Sequence, residues 1–383
     1  MDGRDRVLTT LDHREPDRVP FDLGSTIVTG IHVGAYGPLR SALGLPPGAP
    51  RLLDRIQHLA VVDDDVRDAL GVDTGGAFPG DPVRSRAREG VADGYALYWD
   101  DFGLGYRMPL EGGLYHDLFE HPLGGDDVAA SDIASHPGPD PQDPGRVAGM
   151  RETCLRIRDE ERRAVCVWGF GGGVLETASW LRGLERFYLD LAADPDLACA
   201  LMDRVLEWKL AYYERVMDEI GDLVDVFFEG DDLGTQQSLL ISPETYRRYV
   251  KPRQAEVFRT IHARSAAKVA LHSCGAVRPL IPDFIEVGVD VLNPVQVSAV
   301  GMDSAALKRD FGSEIAFWGG GVDTQRVLGF GTPQEVRDEV RRRLDDLMPG
   351  GGFVFATVHN IQANVPPENL LAMRDALREH GAY

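Results

Sequence analysis

The sequence predicts a (β/α)8 barrel made of a single domain that spans residues 1–383. Eight short runs along the chain are rich in β-forming residues, and most of them are apolar throughout, as strands buried on both faces of a sheet are. From about residue 150 these runs alternate with helical patterns, which is the order of a parallel sheet. Eight such units predict a sheet that closes on itself.

The eight predicted strands are short and are separated by turn or helix signals. Their apolar character argues for strands that lie between an inner and an outer layer. In chain order they are residues 19–23, 72–78, 164–169, 224–229, 268–272, 289–293, 315–318 and 353–358.

Three helices have clear start signals. Asp194, Ser242 and Thr332 each precede a proline, which pairs a helix N-cap with the residue best suited to the first helical position. Thr332 is followed by Glu335, and this spacing predicts a capping box.

One region breaks the alternation of strands and helices. Residues 84–125 read as β-hairpins, with turn signals at Asp93-Gly94 and at Gly112-Gly113. We expect an insertion after the second strand that covers the barrel mouth. Residues 126–146 are rich in Asp, Pro and Gly and are expected to form an exposed loop.

The charge and the cysteines exclude several classes of protein. A formal net charge of -21 disfavours binding to nucleic acids and to anionic membrane surfaces; it also simply favours solubility. The four cysteines are scattered, the opening segment is polar, and no run of about 18 apolar residues occurs. These features predict a cytoplasmic enzyme with free thiols and a small-molecule substrate.

Polar and aromatic residues follow the predicted strands, where a barrel places its active site. Those near strand ends can equally be core residues, especially the aromatic ones. The candidate substrate-binding residues in these positions are Trp168, Phe170, Asp231, Gln236, Gln296, Asp323, Asn360 and Gln362.

The sharpest motif is His272-Ser273-Cys274 at the end of the fifth strand. Residues i and i+2 of an extended strand share a face, so the imidazole and the thiol can reach one Zn²⁺ ion. His359, at the end of the eighth strand, is the candidate third ligand, and Glu229 and Asp231 are weaker candidates. The alternative is a packed thiol beside a hydrogen-bonded histidine.

An acidic cluster of Glu229, Asp231 and Asp232 follows the fourth strand. When carboxylates lie this close together, the pKa of at least one of them is raised. A raised pKa suits a general acid or base. The alternative is a helix N-terminus with solvated acids. Glu229, Asp232 and His359 are the candidate catalytic residues.

Three separated motifs in this order resemble the uroporphyrinogen decarboxylase superfamily. They are GDDLGTQQSLLISPETYRRYVKP at 230–252, HSCG at 272–275 and TVHNIQANVPPENLLAM at 357–373, with DHREPDRVPFDLG at 12–24 similar to the family's N-terminal strand. The resemblance implies a (β/α)8 barrel. It also implies one of two activities, which are cofactor-free decarboxylation of uroporphyrinogen III and zinc-dependent methyl transfer to or from a corrinoid protein.

The sequence departs from the decarboxylase branch, whose arginine-rich segment after the first strand binds substrate carboxylates. The corresponding stretch here, residues 24–34, contains no arginine. That branch also uses an aspartate after an early strand to bind pyrrole N–H groups, and Asp73 is the candidate for this role although its context differs. His359, seven residues before Pro366, matches the decarboxylase spacing.

The methyltransferase branch has an H-x-C pair and a later cysteine as zinc ligands. His272 and Cys274 match the pair, and the later cysteine falls at His359, so a histidine replaces it. The leading hypothesis is a zinc-dependent methyltransferase or demethylase with a corrinoid protein as partner. A porphyrinogen decarboxylase and a non-catalytic barrel that binds a tetrapyrrole or corrinoid are the alternatives.

Overall fold

The computed structural model describes all 383 residues. The strands are β1 (Leu52–Asp54), β2 (Leu59–Ala60), β3 (Thr74–Ala77), β4 (Arg88–Ala92), β5 (Tyr95–Trp99), β6 (Gly105–Pro109), β7 (Asp117–Glu120), β8 (Ala164–Trp168), β9 (Val226–Gly230), β10 (Lys268–His272), β11 (Val291–Asn293), β12 (Ala316–Trp318) and β13 (Phe353–Val354). The helices are α1 (Gly3–Leu11), α2 (Val33–Ala42), α3 (Asp64–Leu70), α4 (Ala130–Ser135), α5 (Met150–Leu155), α6 (Val174–Arg182), α7 (Leu184–Ala193), α8 (Pro195–Ile220), α9 (Pro243–Thr245), α10 (Lys251–Arg264), α11 (Ile281–Glu286), α12 (Ser304–Phe311), α13 (Pro333–Leu347) and α14 (Pro367–His380).

Seven strands form one parallel sheet in the order β3-β8-β9-β10-β11-β12-β13. They coincide with seven of the eight predicted strands. The prediction is confirmed at both ends of β10, whereas β13 ends at Val354 rather than at residue 358. Helices follow most of these strands, as the alternation in the sequence predicts.

The eighth predicted strand, residues 19–23, joins the two edges of this sheet. Phe355 donates its backbone N–H to the carbonyl of Pro20 at 2.8 Å, and Asp73 donates to the carbonyl of Phe21 at 2.8 Å. The segment forms isolated bridges rather than a regular strand, partly because Pro20 has no N–H to donate. The sheet is therefore closed, and the predicted barrel is confirmed.

Helix α1 covers the amino-terminal end of the barrel. Val7 and Leu11 of this helix are buried in the same apolar cluster as the inward-facing side chains of the strands, which include Val226 and Ala270. Inward and outward residues alternate along each strand, and the outward ones pack against the helices in a much larger cluster. The molecule thus has an inner core within the barrel and an outer core around it.

The predicted helix starts are confirmed. The side chains of Asp194, Ser242 and Thr332 each accept a backbone N–H bond in the first turn of α8, α9 and α13, respectively. Thr332 and Glu335 form the predicted capping box.

A separate antiparallel sheet, β4-β5-β6-β7, lies between the barrel strands β3 and β8 in the sequence. It falls within the region of residues 84–125 for which hairpins were predicted. Phe102, in the turn between β5 and β6, packs against Phe170 at 5.5 Å between ring centroids. This contact holds the sheet beside the end of β8.

Residues 126–146 are more ordered than the exposed loop that their composition predicts. They include α4 and the start of a 3₁₀ turn over Pro144–Val147. Ile133 is buried in the outer core, as is Val147 directly after the segment. The expectation of an exposed loop is therefore corrected in part: more than half of these residues are exposed, but the segment contains a helix that Ile133 anchors.

Asp73 lies at the amino-terminal end of β3, opposite the end where barrel active sites lie. Its carboxylate accepts bonds from Arg6 at 2.6 Å and from Arg18 at 2.8 Å, and it also accepts the backbone N–H of Phe21 at 2.9 Å. The structure therefore does not bring Asp73 to the predicted substrate pocket. It links α1 and residues 18–21 to the amino-terminal end of the barrel.

We expect the substitution Asp73→Ala to lower the free energy of unfolding by about 3 kcal/mol, because Arg6 is buried and loses a partner. Urea denaturation measures this change. Asp12→Ala, at a half-exposed aspartate, is the control and should change stability by less than about 0.5 kcal/mol. Loss of substrate binding in a fully stable Asp73→Ala protein would instead show that Asp73 takes part in substrate binding.

Candidate active site

Inward-facing side chains at the carboxyl ends of the strands form the candidate site. His272 continues the inward series of Ala270, and Cys274 follows two residues later in the turn. Gly275 has a φ of +91°, and a Cβ atom there would lie 2.5 Å from the backbone carbon of Gly234. Glycine is therefore required for the sharp turn that places the thiol at the mouth of the barrel.

The three predicted ligands come together. One donor atom from each of His272, Cys274 and His359 lies within 4.8 Å of the other two, an arrangement that can hold a metal ion. The Cys274 Sγ atom is 3.4 Å from His272 Nε2. The two imidazole rings are 5.3 Å apart between centroids and nearly perpendicular, at 75°.

Asn293, on the neighbouring strand β11, fixes the orientation of His272. Its Nδ2 donates to the carbonyl of Trp318 at 2.9 Å, so its Oδ1 faces His272 Nδ1 at 2.6 Å. That oxygen can only accept, so His272 carries its proton on Nδ1. The lone pair on Nε2 is therefore directed towards the thiol, as metal ligation requires.

His359 is held less favourably for ligation. Its Nδ1 accepts the backbone N–H of Asn360 at 2.8 Å. Ligation by either nitrogen requires this contact to be given up, because Nδ1 must then bind the ion or carry the proton. Burial, together with the neighbouring His272, lowers the pKa of His359 to about 3, so the ring is neutral at physiological pH.

Asp232 also joins this group. Its Oδ1 accepts the backbone N–H of Cys274 at 2.8 Å and lies 3.9 Å from His272 Nε2. Burial and the negative charges of Asp232 and Glu176 raise the pKa of the Cys274 thiol well above its usual range. Without a bound cation the cysteine is therefore a protonated thiol.

Glu229, predicted as a catalytic residue, faces away from the site. Its side chain points to the outer face of the sheet, as that of Phe227 does. Its Oε1 pairs with Lys209 on α8 at 2.7 Å, and Tyr213 donates to its other oxygen. Burial raises its pKa even though Lys209 opposes this effect. The structure places this carboxylate in the outer core, where it does not reach the mouth.

Asp231 also points outward and is buried. Its carboxylate accepts the backbone N–H groups of Glu176 at 2.9 Å and Leu175 at 3.3 Å, and the side chain of Gln254 donates to it at 2.9 Å. It therefore satisfies the N-terminus of α6. Burial raises its pKa to about 6. Neither a substrate contact nor the weak metal-ligand role fits this position.

A cavity of about 370 Å³ opens directly onto Cys274 and His359. Two predicted substrate-binding residues, Gln236 and Gln296, line it. Its wall consists of Gly234, Thr235, Gln236, Cys274, Gly275, Gln296, Thr324, Gln325, Val358 and His359.

The remaining predicted residues are divided between the site and its surroundings. The ring of Trp168 is 6.1 Å from that of His272. Asp323 does not line the cavity, and its carboxylate accepts the backbone N–H of Gln325 at 2.8 Å. Phe170 packs on Tyr212 in the outer core at 4.6 Å between ring centroids.

Asn360 and Gln362 do not line the cavity. Asn360 is buried and accepts from Gly30 at 2.6 Å while donating to Ile27 and Gln57, both at 2.8 Å. Its amide is fully used in joining the loop after β13 to the N-terminal segment. Gln362 is exposed and donates to the Asn360 carbonyl at 3.2 Å.

Sequence reasoning missed Asn293, Gln325 and Glu176. Asn293 is the last residue of a predicted strand. Because it lies two residues after the inward-facing Val291, the sequence could have predicted that its side chain also points into the barrel. Gln325 lies two residues beyond Asp323, within a turn that only the fold defines. Glu176 is the third residue of α6; burial, with Asp232 and Asp231 nearby, raises its pKa well above the usual range.

A family model described as uroporphyrinogen decarboxylase (URO-D) matches residues 120–380. The chain belongs to the uroporphyrinogen decarboxylase family. It is similar to the uroporphyrinogen decarboxylase of Alkalilimnicola ehrlichii, with 26% identity over 73% of each chain. It is also similar to that of Geobacter sulfurreducens, with 23% identity over 67% of this chain and 71% of the other.

The fold of this family member also resembles a solved structure, a methyltransferase from Methanosarcina mazei. The two match with a TM-score of 0.64 over 99% of each chain and are 19% identical, a likeness that shows the fold alone. No helix of the family member is both long enough and apolar enough to cross a membrane.

Proposed function

We propose that this protein is a zinc-dependent methyltransferase or demethylase that exchanges a methyl group between a small substrate and a corrinoid carried by a partner protein. The observation that carries the proposal is the convergence of His272, Cys274 and His359 at the wall of an open cavity. A mixed nitrogen and sulfur donor set suits Zn²⁺, and a cavity beside it leaves room for substrate.

The donors fit such an ion with one local adjustment. His272 already presents its unprotonated Nε2 to the thiol. His359 must release the Asn360 N–H, at a cost of about 1 kcal/mol for one hydrogen bond. When bound, zinc supplies Lewis acidity that lowers the pKa of a coordinated thiol or polarises a methylated heteroatom.

The chain's own side chains position the reactants and handle the proton. Asp232, within 3.9 Å of His272 Nε2, is placed to take the proton that a substrate thiol loses. Gln296 and Gln236 orient the substrate from the cavity wall. The partner carrying the corrinoid would dock over this mouth.

Asn293 gives a test of the ligand geometry. We expect Asn293→Leu to weaken zinc affinity by about 10- to 100-fold, because His272 loses the acceptor that holds its proton on Nδ1. Competition with a chromophoric chelator measures the affinity. Asn293→Asp keeps an acceptor oxygen for His272 Nδ1 but, like Asn293→Leu, loses the donor to the Trp318 carbonyl, so it should bind zinc more tightly than the Leu variant. Equal affinity in the Leu and wild-type proteins would contradict the tautomer argument.

The second candidate is cofactor-free decarboxylation, which the names of the similar proteins favour. A substrate with many carboxylates needs cationic partners. No Lys or Arg lines the cavity beside His359, and the stretch of residues 24–34 has no arginine. A non-catalytic barrel that binds a tetrapyrrole is the third candidate, and it predicts binding without turnover.

Two measurements separate these functions. The first is the zinc content of the purified protein by mass spectrometry, for which we expect a near-stoichiometric amount. The second is incubation with methylcobalamin and a small thiol. The thiol sulfur takes the methyl group and loses a proton, while the corrinoid retains the bonding electron pair as Co(I). Release of CO2 from uroporphyrinogen III by metal-free protein would overturn the proposal.

A further inference from the structure

We propose that the cavity beside Cys274 and His359 selects an uncharged, oxygen-bearing substrate and that Gln296 determines this selectivity. The inference rests on the proposed function for the identity of the reaction, but the selectivity itself follows from the cavity wall. An uncharged substrate carries hydroxyl, ether or carboxamide groups rather than carboxylate, sulfonate or phosphate groups.

The wall is polar but has no charged side chain. Its polar side chains belong to three glutamines and two threonines, beside Cys274 and His359. Apart from the ion that the proposed site would hold, the wall offers an anionic substrate no cationic partner, so an anionic group that lies against the glutamines gives up hydration without a counter-charge. The carboxylate of Asp232, which accepts the backbone N–H of the wall residue Cys274, would repel an anion further.

Gln296 has a fixed orientation. It is only 5% exposed, and its Oε1 accepts the backbone N–H of Gly275 at 2.6 Å. Because that N–H can bond only to the oxygen, the assignment of the two amide atoms is determined. The Nε2 group has no protein partner and remains available as a donor at the cavity wall. A donor in this position suits an ether, hydroxyl or carbonyl oxygen.

Gln236 and Gln325 continue the same wall. Gln236 Nε2 donates to Gln325 Oε1 at 3.3 Å, and Ser298 donates to the same oxygen at 3.1 Å. These contacts leave Gln325 Nε2 as a second donor and Gln236 Oε1 as an acceptor. Two donors and one acceptor, all uncharged, match a substrate that both accepts and donates hydrogen bonds.

Arg326 is the strongest rival to this inference. It follows Gln325, is exposed, and makes no ion pair within the chain, although it does not line the cavity. An anionic substrate would require Arg326 to reach the cavity from its rim. The experiment therefore includes the variant Arg326→Gln.

The experiment compares three probes that share one skeleton: 3-(methylthio)propan-1-ol, 3-(methylthio)propanoate and 3-(methylthio)propylamine. Ligand-observed NMR titration gives their affinities for the zinc-loaded and the metal-free protein at pH 7.5. We expect the alcohol to bind the metal-free protein at least about tenfold more tightly than the carboxylate, because the amide wall offers the carboxylate no counter-charge.

The variant Gln296→Glu tests the residue itself. It keeps the oxygen that accepts from Gly275 but replaces the free donor with a negative charge. We expect it to lower the affinity for the alcohol about tenfold and to make the amine the probe that binds most tightly. Gln237→Glu adds the same charge at an exposed position outside the cavity and should leave the order of the three probes unchanged.

The outcomes are decisive for each idea separately. Preference for the carboxylate that disappears in Arg326→Gln overturns the inference, as does equal binding of all three probes. Preference for the alcohol that is unaffected by Gln296→Glu overturns the role of Gln296. If the protein binds no zinc but the metal-free form still prefers the alcohol, the selectivity is supported and the proposed zinc-dependent function fails.

Discussion

Cys274→Ala is expected to abolish methyl transfer and to lower zinc affinity by more than about a hundredfold. Changes to residues that merely orient a metal ligand cost about 10- to 100-fold in affinity, so removal of a ligand costs more. The loss follows from the position of Cys274 Sγ, which is 3.4 Å from His272 Nε2 in the cluster that also contains His359. Chelator competition and the methylcobalamin assay measure the two effects.

Cys199→Ala is the matched control for this experiment. Cys199 is likewise only partly exposed, but it lies on α8 and is not part of the cluster. It should retain both zinc and activity. A Cys274→Ala protein that keeps wild-type methyl transfer after treatment with a chelator would end the zinc-dependent proposal and leave the fold unaffected.

Lys209→Met is expected to lower the free energy of unfolding by about 3–5 kcal/mol, the usual cost of leaving one member of a buried ion pair alone. The ammonium group is buried and lies 2.7 Å from Glu229 Oε1. It also donates to the carbonyls of Phe170 at 2.7 Å and Gly172 at 2.6 Å. All three acceptors lose this donor in the variant. Chemical denaturation measures the change.

The double variant Lys209→Met with Glu229→Gln tests the physical cause. If the cost arises from an uncompensated buried carboxylate, neutralising Glu229 should recover a substantial part of it, so the two changes will not be additive. Tyr213 still donates to the side chain at position 229. Strict additivity would instead show that the hydrogen bonds to the 170–172 loop are responsible.

The behaviour of Glu229 and Asp231 shows what local patterns left open. Both were grouped with Asp232 because the three are close in sequence. Along a strand, however, successive side chains point to opposite faces, so Asp232 reaches the mouth while Glu229 and Asp231 enter the outer core. If Phe227 had been assigned to the outer face of the sheet and Phe228 to the inner face, Glu229 and Asp231 would have been predicted to point outward and Asp232 inward.

Other contacts depended on residues that are distant in sequence. Asn360 resembled a pocket residue because it follows a strand, yet Gly30, Ile27 and Gln57 together use its whole amide. Asp73 was the candidate for the family's aspartate after an early strand, but it lies at the amino-terminal end of β3, paired with Arg6. In both cases the partner that satisfies the polar group is supplied by a part of the chain that no local pattern connects to it.

The sequence by itself determined the barrel, the helix starts and the His272-x-Cys274 pair, because apolar periodicity, capping and the two-residue repeat of a strand are local properties. The tertiary structure alone decided that Asn293 sets the proton on His272, and that Asp232 lies beside the His272–Cys274 pair while Glu229 and Asp231 do not. These relations depend on the closure and register of the sheet, which bring together side chains from strands far apart in the chain.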